Sequence, residues 1–188
     1  MFIQTEDTPN PDTLKFMPGD TVLKTGSVDF SNAESSVSSP LATRLFEIEG
    51  VSRVFLSSDF ISVTKESALE WNTLKPSILT GIMEHYSSGL PALNTEADIT
   101  EDNSAEDTET IKQIKDLLET RVRPAVAMDG GDISFCSFEA GVVTLQMKGA
   151  CAGCPSSTAT LKTVSYTHLR AHETRGNLVF RGVGEKKR

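Results

Sequence analysis

Cys151 and Cys154 stand three positions apart in the run Met147-Lys148-Gly149-Ala150-Cys151-Ala152-Gly153-Cys154-Pro155-Ser156-Ser157. Two thiols at this spacing can close on one metal centre, because the intervening pair makes a tight turn and Gly153 removes a side chain from it. Pro155 suits the first position of a helix, where a missing N–H costs little, and Ser156 and Ser157 offer hydroxyls to the amides of a first turn. A helix N-terminus next to Cys154 favours thiolate over thiol and would favour an anionic cluster held by thiolates. The predicted chemistry is metal binding or thiol redox.

The remaining residues of chemical interest read more plainly. Cys136 lies in the alternating run Ile133-Ser134-Phe135-Cys136-Ser137-Phe138 and is expected to be an ordinary strand residue. His85 falls in the last turn of a predicted helix, where a cation or polar side chain is favourable, and Trp71 and Tyr86 read as packing and anchoring residues. His168 and His172 are four apart and could share a helix face like a metal pair, a reading set aside because it rests on the aberrant segment 164–188.

Composition narrows the classes. The chain has 188 residues, 38% of them apolar, enough for one ordinary domain or two small ones. A net charge of -8 with no Lys/Arg cluster in the acidic part argues against a nucleic-acid binder. No apolar run approaches the roughly 20 residues of a membrane helix. The opening residues lack a basic and apolar secretory signal and are acidic where a transit peptide is basic, so a mature soluble protein is expected. Three cysteines, an odd and small number, suggest a reducing compartment rather than a disulfide framework.

The elements that must present the pair follow from pattern. Residues 1–93 read as a small mixed domain: strands at Phe2–Thr5, Leu14–Phe16 and Val22-Leu23, with a proline-rich turn at Thr8–Asp12. Ser39-Pro40 caps a helix of about ten residues that stops at Gly50. Val51–Leu56 and Phe60–Thr64 then form a hairpin around Ser57-Ser58-Asp59, and Trp71–Tyr86 has helical apolar spacing. Residues 94–109 hold seven acids and no base and read as an extended linker, with an acidic docking segment as the alternative. In 110–163, Ile111, Ile114, Leu117, Leu118 and Val122 predict a helix that Pro124 should kink or end. Asp129-Gly130-Gly131-Asp132 turns into a strand, Glu139-Ala140-Gly141 turns back, and Val143, Leu145 and Met147 alternate along the strand that delivers the CxxC. The fold class is therefore α+β: two small mixed domains joined by an acidic linker, the second a helix and β-hairpin followed by the CxxC and a truncated helix.

Arg121-Val122-Arg123-Pro124-Ala125-Val126, Asp129-Gly130-Gly131-Asp132 and Gly149–Ser157 resemble the NifU C-terminal-like domain of iron–sulfur cluster proteins. Phe2–Pro11, Ile48-Glu49-Gly50-Val51, Glu70-Trp71-Asn72 and Lys75-Pro76 resemble the N-terminal domain of Nfu proteins. The resemblance implies that Cys151 and Cys154 are cluster ligands in a non-enzymatic scaffold or carrier. A 4Fe-4S cluster commonly takes four thiolates and each chain offers two well-spaced ones, so a cluster shared by two copies, at a surface edge, meets the count. Recipient apoproteins and upstream cluster-assembly proteins are the implied partners. The expected location is the bacterial cytoplasm, or the mitochondrial matrix for a mature organelle form. The resemblance ends near Thr163: residues 164–188 carry six bases against two acids, and Ser165–Thr174 resembles translated sequencing-adapter read-through, so this tail is expected not to be native.

Two other readings of the pair stay open. Paired CxxC motifs also make tetrahedral zinc sites, which would give a zinc-bridged structural dimer. A CxxC before a helix can also serve a thiol–disulfide oxidoreductase, although here Lys148-Gly149-Ala150 precedes the pair, no proline lies inside it and no βαβ pattern surrounds it.

Overall fold

The computed structural model describes residues 2–94, 109–139, 142–152, 154 and 179–182. The linker expected over 94–109 therefore falls almost wholly outside the described residues, as do the helix expected from Pro155 and the pair His168 and His172. The chain divides into two compact units, Met1–Glu101 and Asp102–Arg188.

The first unit is an antiparallel five-stranded sheet carrying two helices. Its strands are β1 (Gln4–Asp7), β2 (Thr13–Met17), β3 (Val28–Phe30), β4 (Val51–Leu56) and β5 (Ile61–Lys65), in the order β1-β2-β5-β4-β3. The expected β4–β5 hairpin is present, with Leu56 opposite Ile61. Val22 and Leu23 do not form a strand. Both are buried in a loop, where the Val22 N–H donates to Ser58 O at 2.8 Å, and the edge strand is β3 instead, paired to β4. Helix α1 (Pro40–Phe46) starts where Ser39 accepts from the Ala42 N–H, and at seven residues it is shorter than expected. Helix α2 (Trp71–Ser88) ends at Gly89 in the left-handed region, φ 67°. Leu41, Leu45, Ile78 and Ile82 of these helices share one core with Phe16, Val54 and Val63 of the sheet.

Two side chains in α2 refine the expectation. His85 stands in the last turn of α2 as expected, and beyond that it is 2% exposed, set edge-on to the Tyr86 ring, with burial holding its pKa below the ordinary 6.5. Trp71 is an anchor: its indole N–H donates to Pro11 O at 2.9 Å.

The second unit has a helical limb and a three-stranded sheet. The limb runs through α3 (Glu109–Leu117), a π-helical turn over Leu118–Val122 and α4 (Arg123–Met128). Its buried residues, Ile114, Leu118, Val122 and Val126, repeat every four positions. An unbroken α-helix would rotate such a row by about 40° per step. A turn closed from i to i+5 takes up the surplus, and here the Arg123 N–H donates to Leu118 O. Pro124 therefore does not end the helix; it occupies the first turn of α4, where its missing N–H is tolerated.

Strands β6 (Gly131–Glu139) and β7 (Val142–Gly149) form the expected hairpin. A third strand, β8 (Val179–Gly182), pairs parallel to β7 within the tail that sequence alone marked as aberrant. In β6 the register slips so that Phe135 faces Leu145 and Ser137 faces Thr144, leaving Cys136 as the extra residue of a bulge. The bulge lets Phe135 and Phe138, three apart, both pack on the core with Ile133, and turns Cys136 out to solvent. Cys136 is thus not a regular strand residue: strict alternation would send Phe138 to the opposite face.

Candidate metal centre

Strand β7 ends at Gly149, whose positive φ of 65° turns the chain into the CxxC. Three backbone bonds then hold the turn: Ala150 N–H to Gly130 O at 3.2 Å, Ala152 N–H to Gly149 O at 3.1 Å and Cys154 N–H to Cys151 O at 3.5 Å. The two thiols therefore lie on one short turn, anchored to the loop between α4 and β6.

The floor under Cys151 is backbone. Gly131 is paired with Gly149, and a Cβ on it would stand 2.6 Å from Lys148 O and 2.7 Å from Cys151 Sγ. No L side chain fits there, so glycine at 131 is what admits the thiol. Cys151 Sγ lies 3.9 Å from Val126 O and belongs to the apolar core of this unit. Cys151 is 2% exposed and Cys154 9%. Both cysteines are thus buried residues within the single chain.

One charged cluster fixes this floor. Arg123 in α4 donates through Nε to Asp132 Oδ1 at 2.8 Å and through Nη2 to Ile133 O at 3.2 Å, and it also pairs with Glu119. The same Asp132 oxygen accepts from the Ile133 N–H at 2.7 Å. The helical limb is so tied to the first residues of β6, immediately beside Gly131. Both residues stand in motifs visible in the sequence, yet no spacing rule pairs an arginine before a helical turn with an aspartate after a glycine turn.

Cys136 is not brought to this site. It lies five strand residues beyond Gly131, about 16 Å at ~3.3 Å per residue, and faces solvent. No group of three or more His, Cys, Asp or Glu placed to hold a metal ion occurs among the described residues. No described helix is long and apolar enough to cross a membrane.

The fold is thus a two-unit α+β protein whose second unit carries Cys151 and Cys154 just beyond the end of β7. Residues 3–89 match the family model described as scaffold protein Nfu/NifU N terminal, and residues 114–173 match that of the NifU-like domain. The chain belongs to this Nfu/NifU-like family. It is 53% identical over 167 residues to NifU-like protein 4, mitochondrial, of Arabidopsis thaliana, covering 86% of this chain and 59% of the relative. It is 52% identical over 163 residues to the human NFU1 iron-sulfur cluster scaffold homolog, mitochondrial, covering 86% and 64%. The solution structure of a NifU-like protein from Saccharomyces cerevisiae aligns at 25% identity and a TM-score of 0.47, covering 51% of this chain and 87% of the other. The chain spans about three-fifths of the length of the curated relatives it matches. Those relatives are named as mitochondrial, which gives the expected bacterial cytoplasm no support.

Proposed function

We propose that this chain is a non-catalytic iron–sulfur cluster scaffold and carrier, in which Cys151 and Cys154 of two copies hold one 4Fe-4S cluster between them and release it to recipient apoproteins. The observation that supports the reading is the chain path: Cys151 and Cys154 follow β7 three positions apart, linked by the Cys154 N–H to Cys151 O bond, while Cys136 sits exposed in β6. A cluster of this type ordinarily takes four thiolates, so one chain supplies half a site and a second copy completes it. Separating the copies then removes half the ligands, which suits a cluster that is passed on. Upstream assembly proteins would load it, in the mitochondrial matrix; the word mitochondrial in the relatives' names supports the organelle.

Anaerobic reconstitution with ferrous iron and sulfide, read by absorbance, metal analysis and native mass, tests this. The expected product is a brown dimer with about four iron atoms, lost in Cys151→Ala and in Cys154→Ala and retained in Cys136→Ala. A colourless dimer holding tight zinc would replace the cluster reading with a tetrahedral zinc bridge between the same thiols. Reduction of insulin disulfides by the metal-free chain would replace it with thiol–disulfide exchange.

A further inference from the structure

Helix α2 stops at Gly89, and residues 89–94 beyond it fold back to the start of α1. Three bonds hold them there. The His85 side chain bonds the Leu90 backbone, the Ser39 hydroxyl donates to Ala92 O, and the Asn94 N–H donates to Ser38 O at 2.8 Å. Ala92 and Leu93 lie against the rim of the first core, whereas Leu90 is 52% exposed. Two of the holding groups are buried side chains, one from each helix end: His85 in the last turn of α2 and Ser39 at the cap of α1. The Ser39 hydroxyl acts twice, since it also accepts the Ala42 N–H at 3.0 Å. At the hinge, a Cβ on Gly89 would meet nothing within 4 Å, and only the left-handed backbone angle asks for glycine.

We propose that residues 89–94 are a latched strap, released by protonation of His85, that adds its length to the chain between the two cores when it opens. Closed, the first core holds the chain as far as Leu93; open, it lets go after Tyr86, while the second core begins at Ile114. His85 faces Arg44 of α1, which pairs with Glu84 of α2 at 2.8 Å, and Tyr86 of its own helix stands edge-on to the ring. A proton on His85 places a second cation near Arg44 in a site closed to water. Swinging the ring out removes that cost, and the bond to Leu90 goes with it. The open form binds the proton more readily, so the closed strap is at full strength above about pH 6.5 and weakens as pH falls below it. What then remains is two hydrogen bonds and a rim contact, which open at lower cost than a core strand. A longer segment between the cores changes the effective concentration of one unit at any partner held by the other.

The test is amide exchange of the full isotope-labelled chain, followed residue by residue between about pH 7.5 and 5.5 and corrected for the unstructured rate. The Asn94 N–H should be protected at least about tenfold less than the amides of β4 and β5, which separates opening of the strap from unfolding. Its protection should fall by up to about tenfold per pH unit below pH 6.5. His85→Gln, which keeps a polar side chain that does not titrate, should flatten that dependence. Ser39→Gly removes the hydroxyl at little cost to the α1 cap and should lower Asn94 protection about fivefold, the weight of one hydrogen bond. Val63→Ala, in the sheet, should lower protection of β4 and β5 about tenfold or more and leave that of Asn94 unchanged. Asn94 protection equal to that of β4 and β5, flat across the pH range, still falling in His85→Gln, unmoved by Ser39→Gly or lowered by Val63→Ala would each overturn the proposal.

Discussion

At the scale of single residues, Gly131 matters most to the thiol pair. A methyl group there would collide with Lys148 O and Cys151 Sγ, both held in place by the β6–β7 ladder and the turn. Gly131→Ala is expected to cost the second unit about 1–3 kcal/mol, as overpacking does, and to lower metal retention. Gly81→Ala in α2 is the contrast, since its Cβ would meet Ile48 and Leu45 at an ordinary 3.6 Å, and it should be neutral or stabilising by up to about 1 kcal/mol. Urea unfolding of both variants, read by amide exchange in β6 and β7 and by Trp71 fluorescence, checks the pair. His85 sets a pH dependence. Its folded pKa lies below 6.5, chiefly through burial and then through the Arg44 charge, so the unfolded chain binds the extra proton. Stability of the first unit should be complete above about pH 6.5 and fall below it, by at most about 1.4 kcal/mol per pH unit. Asp12 acts in a separate window: hydrogen bonds from Lys65 and Ser67 lower its pKa from 3.8, so its contribution is lost only as pH falls through still lower values. A thermal midpoint, followed by Trp71, that stayed flat from pH 7 to about 5 would contradict the assignment to His85. The cysteine pair could be read from the sequence because a turn between two thiols is a local property. The burial of His85 could not, because what covers a helix end is set by residues far away in the chain.

At the scale of elements, the helical limb and the β6–β7 hairpin work as one support for the turn. Local patterns revealed the hairpin, the cap at Ser39 and the length of α2, all of which depend on neighbours within a few positions. The π turn was hidden because a row at four-residue spacing still looks helical, and it takes the packing of Ile114, Leu118, Val122 and Val126 onto one core to select the wider turn. The bulge at Cys136 was hidden for a similar reason: two polar residues between Phe135 and Phe138 break the alternation, but only the partner strand shows which one is extra. Arg123 is the strut between limb and hairpin. Arg123→Ala removes the partner of an Asp132 side chain that is 10% exposed, while Arg123 itself is 37% exposed. The cost should therefore be that of hydrogen bonds to a charged group, about 2–3 kcal/mol, below that of a fully buried pair. Amide exchange should accelerate at the start of β6 and in the turn 149–152, with the first unit unchanged. Equal protection in variant and wild type would show that the strut carries no load.

At the scale of the whole molecule, each unit has its own apolar core, and the two family models fall one on each. The division was legible from the acidic stretch between two differently patterned regions. The parallel strand β8 was not, since nothing in Val179–Gly182 says which edge it will join. The burial of Cys151 and Cys154 has a kinetic consequence. Cys151 and Cys154 are both buried residues, so metal uptake is expected to follow a local opening of the chain around them, which makes loading a two-step process with its own clock. Uptake of zinc or ferrous iron, followed by stopped flow, should rise with metal concentration and then level off at the opening rate. Gly131→Ala, by prising the turn open, should raise that plateau even as it weakens retention. Loading that stayed proportional to metal concentration throughout would mean that the sulfur atoms are reached without opening. A plateau would make the tempo of this site a property of the turn, independent of how much metal surrounds it.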